Sequence, residues 1–267
     1  MSEHLITEFS SVDGVAEGLA KFEKHCIDTE DLRGVFATSY LEITRSIASQ
    51  IDYAFKDPEW VAAYLIRFGN LYREALINFE KGDIKQIPKS WFIAFEAAKM
   101  KEGLVIQHLI LGINAHINHD LAISLHDVGI DPGRNDKYHD HTKVNTILSK
   151  STENLKREVA TKYAPVLERL DRTTGHISDD VTNFSIPKAR EHAWTFATAL
   201  ANARNEAERT ILRKALDEQA AVLARLIMAS PTKDPRFTRS ITVAKRVDSL
   251  ATSLFNLFRR KKNRSKK

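Results

Sequence analysis

One cysteine, Cys26, is all that the chain carries. A single thiol closes neither an internal disulfide nor a multi-cysteine zinc site, so Cys26 is expected to be a buried, unpaired residue. Glycine and proline are scarce, at 10 and 7 of 267 residues. Strand-like alternation of Val, Ile, Thr and aromatic residues is nearly absent, which argues against a β architecture. No stretch reaches the roughly 18 apolar residues of a membrane span. The start, MSEHLITEFSSVDG, lacks the basic and apolar regions of a signal peptide, so the cytoplasm is the expected compartment. There is no Gly-rich phosphate loop, no G-x-S-x-G elbow and no zinc-finger spacing. The Glu-x-x-His pairs of ferritin-like di-iron proteins are missing too.

What is present is helix-forming. Ala, Leu, Glu, Lys and Arg dominate, and 43% hydrophobic with 28% charged residues is the balance of an ordinary globular protein. The expected fold is all-α, a single compact bundle of about eight to ten helices. The punctuation predicts helices over Val12–Ile27, from Asp28, Thr29 or Asp31 to about Phe55, and from Asp57-Pro58 to Lys81. Others follow Pro88, span about Gly103–Asp127, run from about His141 to Leu170, start at Ser185-Ile186-Pro187 and reach about Asn202, and cover Glu206–Ala229. The bundle is assigned to residues 1–240, an amphipathic helix to 241–258 and a basic, disordered tail to 259–267.

The net charge of +5 is misleading, because Arg259, Arg260, Lys261, Lys262, Arg264, Lys266 and Lys267 supply seven positive charges. Five minus seven leaves the rest at −2, which argues against a broad nucleic-acid surface. Val247, Leu250, Leu254, Leu257 and Phe258 recur at helical spacing just before that tail. An apolar face joined to a polybasic segment resembles a reversible anchor on an anionic membrane. The alternative is a helix packed on the bundle with a solubilising tail.

Six of the ten histidines fall between His108 and His141, with Asp120, Asp127, Asp131, Asp136 and Asp140. At about 100° per residue, His108, His116, His119, Asp120, His126 and Asp127 share an arc of about 120° on an otherwise apolar helix. Buried polar groups need partners. His116 and Asp120 are i and i+4 and can converge on one point. Imidazole with carboxylate suits zinc, iron or manganese, so His116, Asp120, His126, Asp140 and His141 form the expected metal set. Asn145, one turn after His141, is a candidate to complete it. Glu96, His119, Arg190 and Trp194 are further pocket candidates. Asn114 and Asn118, on the opposite side, are expected to bond neighbouring backbone or helices. The same His116–Asp120 pair also reads as an oriented general base or as a purely structural pair.

Pro88 and Trp91, the run Asn114-Ala115-His116-Ile117-Asn118-x-Asp120-Leu121 and Arg190-x3-Trp194 resemble an uncharacterised bacterial helical domain family with the signature N-A-H-I-N-x-D-L. The likeness covers about Asp57 to Ala229 and implies a fold and a site centre, not a reaction. His116, Asp120 and His126 are also distantly similar to the H-x3-D-x3-P-x-H pattern of zinc-dependent phospholipase C and zinc-dependent single-strand nucleases. Here Ser124 stands at the proline position. His141-x3-Asn145 carries an amide where that group has a carboxylate. No histidine lies between His25 and His108, so the upstream ligands of that group are missing. His176-x3-Asp180 has the pair spacing without the context.

Three functions fit these residues. One is a metal-dependent enzyme, such as a hydrolase, acting on a small molecule through a metal-bound water. Another is a metal-free general-base enzyme centred on His116 and Asp120. The third is a non-catalytic helical interaction protein in which the polar stripe fixes packing.

Overall fold

The computed structural model describes residues 7–170 and 186–229. Among them the chain forms ten α-helices and no strand. These are α1 (Val12–Thr29), α2 (Arg33–Ala48), the single turn α3 (Ile51–Ala54), α4 (Pro58–Lys81) and α5 (Lys89–Lys99). Next come α6 (Val105–Ala115), a π-helical turn (His116–Asp120) and α7 (Leu121–Asp127), running on without a break. They are followed by α8 (Arg134–Leu170), α9 (Ile186–Ala201) and α10 (Glu206–Ala229). The expected 241–258 helix, the 259–267 tail and the His176–Asp180 pair lie outside the described residues. Among the described residues no helix is long and apolar enough to cross a membrane.

The punctuation of α4 shows how sequence sets an element. The Asp57 carboxylate accepts from the Trp60 N–H at 3.0 Å, and Pro58 occupies the first turn. Such a cap is worth about 1 kcal/mol. Gly82 closes the helix in the left-handed region at φ 78, where a side chain would be strained.

Two expected boundaries are corrected. The single helix to Phe55 is instead α2, a turn at Ser49–Gln50, and α3. Phe55 itself is extended and buried, which delivers the following backbone N–H groups to Asp140. The helix expected to start near His141 begins earlier, at Arg134, just after Gly133 at φ 83.

The core has two large halves. One gathers Phe22, Phe36, Tyr40, Tyr72, Trp91 and Leu111. The other gathers Trp60, Tyr64, Phe68, Leu121, Trp194 and Leu200. Helix α4 contributes to both, and the π-turn lies where they meet.

Candidate functional site

His116 opens the π-turn and is 3% exposed. A π-turn widens the helix by letting an N–H reach one residue further back, and such turns are frequent at functional sites. Here the Leu121 N–H bonds to the His116 carbonyl. The His116 ring lies flat on Phe68, with centroids 3.4 Å apart and planes within 10°. Tyr40 meets it edge-on at 4.2 Å and Phe36 at 5.3 Å, while Tyr72 and Trp91 stand at 6.3 and 6.2 Å. This aromatic box draws on α2, α4 and α5. Its assembly depends on Gly112, because a β-carbon there would sit 2.3 Å from Cγ of Phe36.

Asp120 closes the turn and is 1% exposed. The Trp91 indole N–H donates to Oδ2 at 2.7 Å, and Nδ1 of His119 meets Oδ1 at 2.8 Å. Nδ1 of His116 stands 3.5 Å from Oδ2, at the outer edge of hydrogen-bond range. Neither His116 nitrogen closes a well-formed bond. Burial pushes the Asp120 carboxyl up, but its contacts with His116 and His119 outweigh that and hold the group below its ordinary range. Burial pushes the His116 imidazole down, more than the neighbouring carboxylate raises it. The result is a neutral imidazole beside an ionised carboxylate. With Nδ1–H turned toward Asp120, Nε2 is left as the unengaged acceptor, the arrangement of an oriented base. The Tyr40 and Tyr72 hydroxyls, also fully buried, close no hydrogen bond. Burial pushes both phenols well up, so they stay protonated.

A second buried centre lies on the same bundle. Nη2 of Arg190 donates to the His141 carbonyl at 2.6 Å and to Nδ1 of His141 at 3.3 Å. Nε2 of His141 meets the Arg190 carbonyl at 3.0 Å. A carbonyl only accepts and a guanidinium only donates, so the hydrogen sits on Nε2 and His141 is neutral. Burial, with the Arg190 charge adding to it, holds that imidazole well below its ordinary value. The Tyr64 phenol lies against the guanidinium without closing a well-aligned bond.

The expected metal set is not brought together. Among the described residues no group of three or more His, Cys, Asp or Glu side chains is placed to hold a metal ion. Only His116 and Asp120 meet, as their i, i+4 spacing requires. His126 falls away to the surface and pairs with Asp127 at 3.1 Å, because the wider π-turn breaks the regular 100° register after Asp120. Asp140 is fully buried, yet its oxygens accept the Lys56 and Asp57 N–H groups at 2.8–3.0 Å, just ahead of α4. It clamps backbone rather than offering a ligand. His141 faces a guanidinium, whose charge opposes a cation at the same place. Among the pocket candidates, His119 joins Asp120, and Arg190 joins His141. Trp194 lies tilted against His141, with ring centroids 5.2 Å apart. Glu96 is a surface residue near Lys99. Asn145 is half-buried with its Oδ1 unpartnered, away from any such cluster.

Sequence reasoning missed the aromatic box and the Trp91–Asp120 bond. The signal was a four-residue period, Phe36 and Tyr40 on α2 and Tyr64, Phe68 and Tyr72 on α4, which puts those rings on common faces. His108, two turns before His116, was expected on the polar stripe and is buried. It lines a narrow cleft with Arg33, Phe36, Tyr72 and Trp91 that has room for about one water. Burial pushes its imidazole down to about 4.

No curated protein and no solved structure matches the chain. The family model that does match spans residues 12–230, covering α1 to α10 and every residue of both buried centres, and the chain belongs to the family of unknown function DUF5995.

Proposed function

We propose that the protein binds a small organic molecule beside His116, where the neutral imidazole acts as a general base without a metal. The observation that carries this reading is the use of Asp120. An ionised carboxylate buried in an aromatic box costs several kcal/mol unless it is well bonded. Its bonds from Trp91 and His119 fix it where it orients His116. Nε2 would take a proton from a C–H or O–H of the bound molecule, whose bonding electrons stay behind on carbon or oxygen. Asp120 would then stabilise the imidazolium, as in other oriented pairs. Such proton transfer contributes about 10²–10⁴-fold in rate. The distant likeness to zinc-dependent phospholipases supports no step here, because the donors it needs are used elsewhere.

The test is proton exchange. Full-length protein treated with a chelator is incubated in deuterated water with small ketones and carboxylic acids bearing acidic α-hydrogens. Deuterium uptake into at least one compound is expected by NMR, with loss in His116→Asn and no effect of the chelator. Absence of uptake from the whole panel, or uptake that the chelator abolishes, contradicts the reading.

A second reading, a non-catalytic interaction protein, is favoured by the close stacking of Phe68 on His116 and the narrowness of the cleft. It predicts that His116→Phe is at least as stable as the native chain and keeps every function.

A further inference from the structure

Among the described residues Arg190 is a positive charge with no counter-charge. It is 2% exposed, and guanidinium stays protonated in proteins. Its contacts are the His141 carbonyl, a neutral imidazole nitrogen and the Tyr64 phenol, while its Nε closes no bond. Among the described residues no carboxylate pairs with it. A buried unpaired charge of this kind costs several kcal/mol, and hydrogen bonds to neutral groups offset only part of that. An anion from outside the chain would offset the rest.

Arg190 also stands beside the His116 site. Tyr64 and Phe68 are one turn apart on α4, with β-carbons about 5–6 Å apart. Tyr64 lies against Arg190, and Phe68 is stacked on His116. The same helix face thus joins the two groups, and the Arg190 charge reaches His116, lowering its basicity. Of the buried carboxylates nearby, Asp120 is bonded to Trp91 and His119, and Asp140 is bonded to the Lys56 and Asp57 N–H groups.

We infer that Arg190 is the anion-recognition group of this site and that its ligand is a small monocarboxylic acid. This rests on the reading of His116 as the residue that faces the ligand. The charge count selects the class. One guanidinium balances one negative charge, whereas a phosphate dianion would leave a net negative charge near Asp120 in a low-dielectric core. Nε closes no bond and is the donor left for a carboxylate oxygen, in a charge-assisted hydrogen bond. Trp194 lies between the rings of His141 and Tyr138.

The test uses the full chain and a thermal-shift series at matched ionic strength. The probes are acetate, pyruvate and benzoate, each beside its neutral amide, and inorganic phosphate. At least one carboxylate is expected to raise Tm by about 5–10 °C at roughly a hundredfold excess over its Kd. Its amide and phosphate are expected to do nothing. Arg190→Gln loses the shift, and Arg190→Lys reduces it because the Nε donor is gone. The proposal is overturned if no carboxylate outperforms its amide on the native protein, if phosphate matches the carboxylates, or if Arg190→Gln keeps the shift. Should Arg190→Gln fail to fold, the native acid-against-amide comparison and Arg190→Lys decide. A carboxylate shift without proton exchange would remove the general-base reading and leave the anion site standing. The reverse pattern would do the opposite.

Discussion

His116 and His141 are both buried and both neutral, yet the charged side chain that each meets directly is of opposite sign. His116 faces Asp120, which raises its basicity against the effect of burial. His141 faces Arg190, which adds to burial and removes basicity. The first keeps a free acceptor nitrogen. The second has both nitrogens committed, one to a carbonyl and one to a guanidinium. Burial alone therefore does not make a buried histidine reactive. The sign of the adjacent charge and the number of nitrogens already bonded decide whether it serves as a base or as a positioning group.

The largest effect should come from removing the carboxylate on the His116 side. Asp120→Ala leaves the Trp91 indole and the His119 ring without their shared acceptor in the core. A loss of about 3–5 kcal/mol is expected by urea unfolding. A loss under about 1 kcal/mol would mean that the pair contributes no more than a surface contact.

A smaller effect concerns pH and sharpens the contrast from the His141 side. In the unfolded chain each imidazole takes up a proton near pH 6.5. In the folded chain His108, His116 and His141 resist it, because burial has pushed them down. The unfolded state then binds more protons, so stability falls as pH drops below about 6.5. It keeps falling until the folded groups titrate, at about 4 for His108 and well below the ordinary imidazole value for His141. Asp120, held low, adds a loss only below the ordinary carboxylate range, through its own folded value. His141→Gln should flatten the decline of Tm between about pH 6.5 and 5, and an unchanged slope would remove His141 from the account.

The smallest effect concerns residues 241–267, outside the described residues. The apolar spacing of 241–258 and the seven charges of 259–267 predict binding to anionic but not neutral vesicles, at about 1 kcal/mol per basic residue near the surface. Deleting residues 259–267 should abolish co-sedimentation while leaving Tm and both buried centres unaltered. Equal binding by the truncated chain would leave the tail as a solvated extension.

Much of the fold was legible because its punctuation is local. Asp57-Pro58 and Lys81-Gly82 bound α4, and the helix expected over Glu206–Ala229 is α10. Asn114 was expected to bond a neighbouring helix, and its amide donates to the Ala220 carbonyl at 2.8 Å. The site was legible only where it is local as well. The i, i+4 spacing brought His116 to Asp120. It said nothing of Trp91, which arrives from another helix. The π-turn broke the regular period on which His126 was placed in the stripe. Asp140 looked like a ligand because a carboxylate that clamps backbone N–H groups leaves no mark in sequence. Arg190 and His141 are 49 residues apart, and their pairing depends wholly on how α8 and α9 pack.

The most direct measurement is the protonation state of His116. Nitrogen-15 NMR of histidine-labelled, metal-stripped protein, with His116→Asn to assign the resonances, reports each ring nitrogen separately. The account predicts a neutral ring at pH 7, protonated on Nδ1 toward Asp120 and bare on Nε2. A doubly protonated ring at pH 7, or a proton on Nε2 with Nδ1 bare, would contradict it.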